Sequence, residues 1–171
     1  MAKMNLVDTI GNASNRDWTY DALSLVLFVH LAFAEDADKG LAPSGLNRTH
    51  HRILFLVAHK PGVTVGELVT LLRLSGQAIQ PPLRVLIDNN LIEQQSSEQD
   101  RRKRHLIITE RGMTFLNTLT GRQFARFTEA RRRVGDDSFE GFLRVMRAMT
   151  SESDREWLYP TDDKIGARIS R

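Results

Sequence analysis

The sequence predicts a mainly α-helical fold with a small β-wing, and three observations lead there. Apolar residues recur at helical spacing through most of the 171-residue chain. Two short apolar strands, Leu91–Gln95 and His105–Ile108, enclose a charged, turn-prone tip. Two helix-like segments joined by a tight turn lead straight into the first strand. The order helix, helix, strand, tip, strand is a winged helix-turn-helix, here within six helices and a two- or three-stranded antiparallel sheet.

Each element has a local cause. Residues 1–14 are small and polar, an arm that a partner subunit would have to hold in place. A long helix is expected from Arg16 to Lys39, where Trp18, Ala22, Leu25, Val26, Val29 and Phe33 keep helical spacing. Leu23, Phe28, Leu31 and Ala32 make a second side apolar, and a helix apolar nearly all round must be covered on more than one face. In so short a chain the expected cover is a second subunit. Gly40 is placed to end this helix as a left-handed cap. Asn47 can cap a second helix through His59, with Ile53, Leu54, Leu56 and Val57 facing inward.

Pro61-Gly62 then turns the chain, and Thr64-Val65-Gly66-Glu67 reads as a capping box opening a third helix, Val65 to Leu72. After the turn Arg73-Leu74, Ser75 can cap a fourth helix to about Asn89. Asn90 sits where a left-handed residue ends such a helix. Thr109 opens a long fifth helix to Arg133, which Gly135-Asp136-Asp137-Ser138 separates from a sixth, Phe139 to Met149. The tail from Ser151 holds Trp157, Leu158 and Tyr159 before it turns polar.

Composition narrows the function. With 41% hydrophobic residues the chain can fold a core, yet no window approaches a membrane-spanning length. The N-terminus lacks the apolar run of a signal peptide, and a cytoplasmic protein is expected. The absence of cysteine excludes disulfides and thiolate metal sites. The adjacent His50-His51 pair is a poor metal signal, because helix neighbours point about 100° apart. No metal or cofactor is expected. There is no Gly-rich phosphate loop, nucleophile elbow or metal-ligand spacing, so no enzyme is expected either.

Charge is distributed unevenly. Residues 1–40 carry three cations against six carboxylates, whereas residues 41–104 carry nine cations against five. A basic middle segment beside an acidic arm suits a protein that lays one face on phosphate. The fourth helix follows a tight turn and should be the reading element. Ile79, Leu83, Leu86 and Ile87 define its buried stripe, which leaves Gln77, Gln80 or Pro81, Arg84 and Asp88 opposite. Gln can pair with adenine and Arg with guanine, and Ser75 and Gln77 near the helix start can touch phosphate. Pro81-Pro82 disturbs this reading, since each lacks an amide hydrogen. The expectation is a split segment: a turn over Ser75–Ile79, then a helix beginning at Pro81.

The tip between the strands carries Asp100, Arg101, Arg102, Lys103 and Arg104, narrow and cationic enough for a DNA minor groove. Asp100-Arg101-Arg102, followed by Leu106-Ile107-Ile108-Thr109 and Gly112, resembles the wing signature of the MarR family of bacterial transcription regulators. The resemblance covers roughly residues 16–150 in element order and about 95–112 at motif level. It implies that Arg102 enters the minor groove while Asp100 braces it. A carboxylate at that spacing can hold a guanidinium in one orientation. Arg101, Lys103 and Arg104 would add phosphate contacts.

The resemblance further implies a homodimer that interlocks through its N- and C-terminal helices and binds a pseudo-palindromic double-stranded operator. An unknown small-molecule effector would release it, as from a repressor. Trp18, His30, Phe33, His50, His51 and Arg52 are the candidate effector pocket. Arg131–Arg133 reads instead as a helix-end cluster complementing the macrodipole. The segments divide as an arm and dimerisation helix (1–40), a winged DNA-binding lobe (41–112) and C-terminal dimerisation helices with a tail (113–171). A winged-helix module that binds protein, its reading helix altered by the prolines, stays open as the alternative.

Overall fold

The computed structural model describes residues 13–96 and 104–158. Seven helices lie among the described residues: α1 Ala13–Leu41, α2 Arg48–His59, α3 Val65–Leu72, α4 Gly76–Asp88, α5 Glu110–Val134, α6 Asp136–Met149 and α7 Glu152–Leu158. Three strands, β1 Val63–Thr64, β2 Ile92–Ser96 and β3 Arg104–Ile108, form an antiparallel sheet with β3 in the middle. Val63 pairs with Leu106 on one side of β3, and Ile92 with Ile108 on the other.

The lobe from α2 to the start of α5 is a compact core. Ile53, Leu54 and Val57 of α2 meet Leu68, then Ile79, Leu83 and Leu86 of α4, and Leu106 of β3, each 0–1% exposed. Caps fix the helix starts. Asn47 accepts from the backbone of Thr49 and His50, while the His50 ring takes the reciprocal position of a capping box. Thr64 and Glu67 form the second capping box, and Ser75 and Thr109 cap α4 and α5. Asn90 is left-handed at φ 56°, as its place in the sequence suggested, and so is Arg73 at φ 52°.

The start of α5 explains the Thr-x-x-Gly spacing. Thr109 Oγ1 donates to the Asn90 carbonyl at 2.8 Å and accepts from the Gly112 amide at 2.9 Å. A Cβ on Gly112 would stand 2.0 Å from the Leu91 carbonyl oxygen, so only glycine lets α5 cross the end of α4 this closely. The motif is a packing device that sets where the wing departs from the lobe.

The sequence reading expected six helices, whereas α7 forms a seventh where a tail was expected, and three other differences bear on the site. Helix α1 runs through Gly40 to Leu41, and the left-handed residue is Gly45 (φ 69°), after a short 3-10 turn at Ala42–Ser44. Gly40 instead provides a close crossing, since a Cβ there would come 3.0 Å from Leu119 of α5. Helix α6 starts at Asp136 rather than Phe139, because Gly135 alone breaks the chain and two aspartates then face the positive end of the new helix.

The third correction concerns the prolines. Helix α4 is unbroken from Gly76 to Asp88 with Pro81 and Pro82 inside it, so the expected split does not occur. The carbonyls deprived of their amide partners are those of Gln77 and Ala78, in the first turn of the helix on the exposed side, where water can satisfy them. The fixed φ of proline is itself helical, and the fully buried Ile79, Leu83 and Leu86 hold the segment down.

The long helices leave the lobe together. Phe33 of α1 meets Phe127 of α5 with ring centroids 5.1 Å apart, and Arg126 pairs with the buried Asp36. That guanidinium holds the Asp36 carboxyl below the usual carboxylate range, against the opposing effect of burial. The cluster at the end of α5 is paired as well: Arg131 with Asp136, and Arg132 and Arg133 with Glu129, whose carboxyl is lowered to about 2. Helix α7 returns to the lobe. His59 Nε2 donates to the Trp157 carbonyl at 2.7 Å, Lys60 lies over the Trp157 ring at 3.8 Å, and Arg73 pairs with Asp154 at 2.7 Å.

Candidate nucleic-acid interface

One face of α4 is sealed into the core, and everything opposite it is open. Gln77, Gln80, Pro81, Arg84 and Asp88 are all exposed. Arg84 faces Asp88 at 3.9 Å, with 85% of its side chain accessible, so this pair leaves the guanidinium available. The Ser75 hydroxyl accepts from the Ala78 amide at 3.2 Å, capping the helix, and its own O–H remains a donor. It fixes where the reading face begins.

The wing stands beside this face. Strands β2 and β3 pair from Ile92–Ile108 out to Ser96–Arg104. Arg104 is exposed and donates to Gln94 across the strands at 3.0 Å. Asp100, Arg101, Arg102 and Lys103 lie outside the described residues. At the base of the wing, His105 Nδ1 donates to the Gly62 carbonyl at 2.7 Å and ties β3 to the β1 turn.

Of the six residues expected at an effector pocket, four come together. His30, Phe33, His51 and Arg52 line a cavity of about 370 Å³ between α1, α2, α3 and α5. His50 is buried in the capping box of α2, and Trp18 lies on the exposed N-terminal part of α1. Phe55, Leu72 and Gln123 are among the further lining residues, with Arg48, and were missed. Phe55 was within reach of the sequence, since it follows His51 by four residues on one helix face. The His51 Nε2 atom is buried without a hydrogen-bond partner among the described residues. Burial pushes the His51 ring below the usual histidine range, and the neighbouring Arg52 pushes it the same way. A wider cleft of about 750 Å³, lined by Ser44, Asn89, Arg111 and Phe115 among others, holds none of the expected residues.

Comparison with known proteins accords with this geometry. The family model of the MarR family matches residues 44–103, the segment from the loop before α2 to the wing. The chain is 32% identical over 133 residues to the HTH-type transcriptional regulator PetP of Rhodobacter capsulatus, covering 78% of this chain and 80% of that one. The chain belongs to the MarR family of transcription regulators. Among solved structures of this MarR fold, a mutant of S. aureus MepR bound to an oligodeoxyribonucleotide superposes with a TM-score of 0.54 at 19% identity, covering 75% of this chain and 94% of that one. A Mycobacterium tuberculosis MarR family protein in complex with salicylic acid gives 0.54 at 21% identity, covering 74% of this chain and 93% of that one. No described helix of this MarR protein is long and apolar enough to cross a membrane.

Proposed function

We propose that this MarR protein is a homodimeric, sequence-specific reader of double-stranded DNA, acting in the cytoplasm as a repressor that a small aromatic anion releases. The observation that carries the reading is α4, buried along one side by Ile79, Leu83 and Leu86 and presenting Gln77 and Arg84 from the other, with the exposed Arg104 on the neighbouring β2–β3 hairpin. Gln and Arg have the donor and acceptor geometry to read base edges in the major groove. The expected roles of Arg101, Arg102 and Lys103 on phosphate and in the minor groove, with Asp100 bracing Arg102, belong to the same proposal.

Dimerisation is supported by what a single chain leaves uncovered. Leu25, Val26, Phe28 and Leu31 of α1 are each more than 50% exposed, as are Val145 and Met149 of α6. A monomer rarely exposes so much contiguous apolar surface. Residues 1–40 and 113–171 would thus join two copies, and residues 41–112 would read DNA. The unbroken α4 gives no support to the rival reading of a lost reading head.

The cavity at His30, Phe33, His51 and Arg52 lies where the joining helices meet the reading lobe. It offers aromatic walls, a guanidinium for a carboxylate and the unpartnered His51 Nε2. A bound molecule there would set the angle between the helices and the lobe. Selection of duplexes from a random-sequence library tests the central reading. Enrichment of an inverted repeat with half-sites about one helical turn apart is expected, with release by added salicylate as probe. Absence of any enriched sequence contradicts it.

A further inference from the structure

The outward face of α4 is not uniformly polar. At about 100° per residue, Pro81 lies roughly 180° from the centre of the buried stripe Ile79, Leu83 and Leu86, at the crest of the face. Ala78 and Val85 flank it one turn away on either side, both exposed, with Val85 at 38%. The three make an apolar strip that runs from the crest down one side of the face, while Gln77 and Asp88 share the crest with Pro81 and Arg84 lies on its other side. Pro81 has neither an amide hydrogen nor a polar side-chain atom, so it offers a base only van der Waals contact. Helix propensity gives no reason for a proline here.

In the major groove the base edges present hydrogen-bond donors and acceptors, with one apolar exception, the C5-methyl group of thymine. We infer that Ala78, Pro81 and Val85 read thymine methyl groups, with Pro81 as the specificity-determining residue, an assignment that rests on the DNA-binding reading above. Gln77 and Arg84 remain beside the strip for neighbouring purines. Pro81, which the sequence presents as a defect of the reading helix, then forms its apolar contact.

The test uses the duplex that the wild-type dimer enriches most, synthesised once with thymidine and once with deoxyuridine throughout, which removes only the methyl groups. Wild type is expected to bind the deoxyuridine duplex more weakly, by about 4-fold for each methyl covered and about 15-fold for one in each half-site. Pro81→Ser is expected to bind both duplexes about equally, and Val85→Ser to shrink the difference. Equal wild-type affinity for the two duplexes overturns the inference and leaves DNA binding intact. A methyl effect that both variants retain in full also overturns it, because DNA shape would then be its source. If wild type enriches no duplex at all, the DNA-binding reading fails and the inference with it.

Discussion

Gly112 fixes where α5 crosses the chain, and any side chain there meets the Leu91 carbonyl. Gly112→Ala should therefore destabilise the lobe by about 3 kcal/mol or prevent folding, measured by denaturant unfolding; a loss below about 1 kcal/mol would mean the crossing relaxes easily. Two histidines act at the same scale. Burial pushes His50 and His51 below the ordinary histidine value of 6.5. The folded lobe then binds fewer protons than the unfolded chain, so this stability is complete above about pH 6.5 and is lost as pH falls through that value toward the lowered ones. The melting temperature should drop between about pH 7.5 and 5.5, and His51→Gln should flatten the slope. A melting temperature level across that window contradicts the burial argument.

At the scale of elements, α4 and α7 make opposite predictions. Pro81 is exposed and removes the donor that the Gln77 carbonyl would use. Pro81→Ala should raise stability by about 1–3 kcal/mol, read from the denaturation midpoint. Trp157 packs against the lobe beneath Lys60 and accepts from His59 through its carbonyl. Trp157→Ala should cost about 2 kcal/mol and speed hydrogen exchange at the end of α2; unchanged exchange there would show that α7 does not hold the lobe. The capping sequences, the buried stripe of α4 and the strand–tip–strand pattern were legible because each is set by residues a few positions apart. The unbroken α4 was not. Local cost argued for a break, and the winning term was burial of Ile79, Leu83 and Leu86 against residues distant in sequence. The docking of α7 was hidden for the same reason, since its partners lie more than 80 residues away. Four of the six pocket residues could be gathered from the sequence because just two helices, α1 and α2, carry them; Gln123 enters from α5, which no local pattern relates to α1.

For the whole molecule, two reading lobes would hang from a shared bundle of α1, α5 and α6. The ion pair of Asp36 with Arg126 and the Phe33–Phe127 contact would make those helices move as one body. A cavity at their junction with the lobe is then well placed to couple a bound molecule to the spacing of the two α4 helices. The central claim is that this assembly grips DNA through the α4 face and the wing. The most direct measurement is a titration of the wild-type protein and Arg102→Ala against the enriched duplex over a series of salt concentrations. Tight binding that falls steeply with salt, and that Arg102→Ala weakens by about 10-fold or more, is the predicted result. Weak binding that ignores both salt and the substitution would contradict it and point to a protein partner instead.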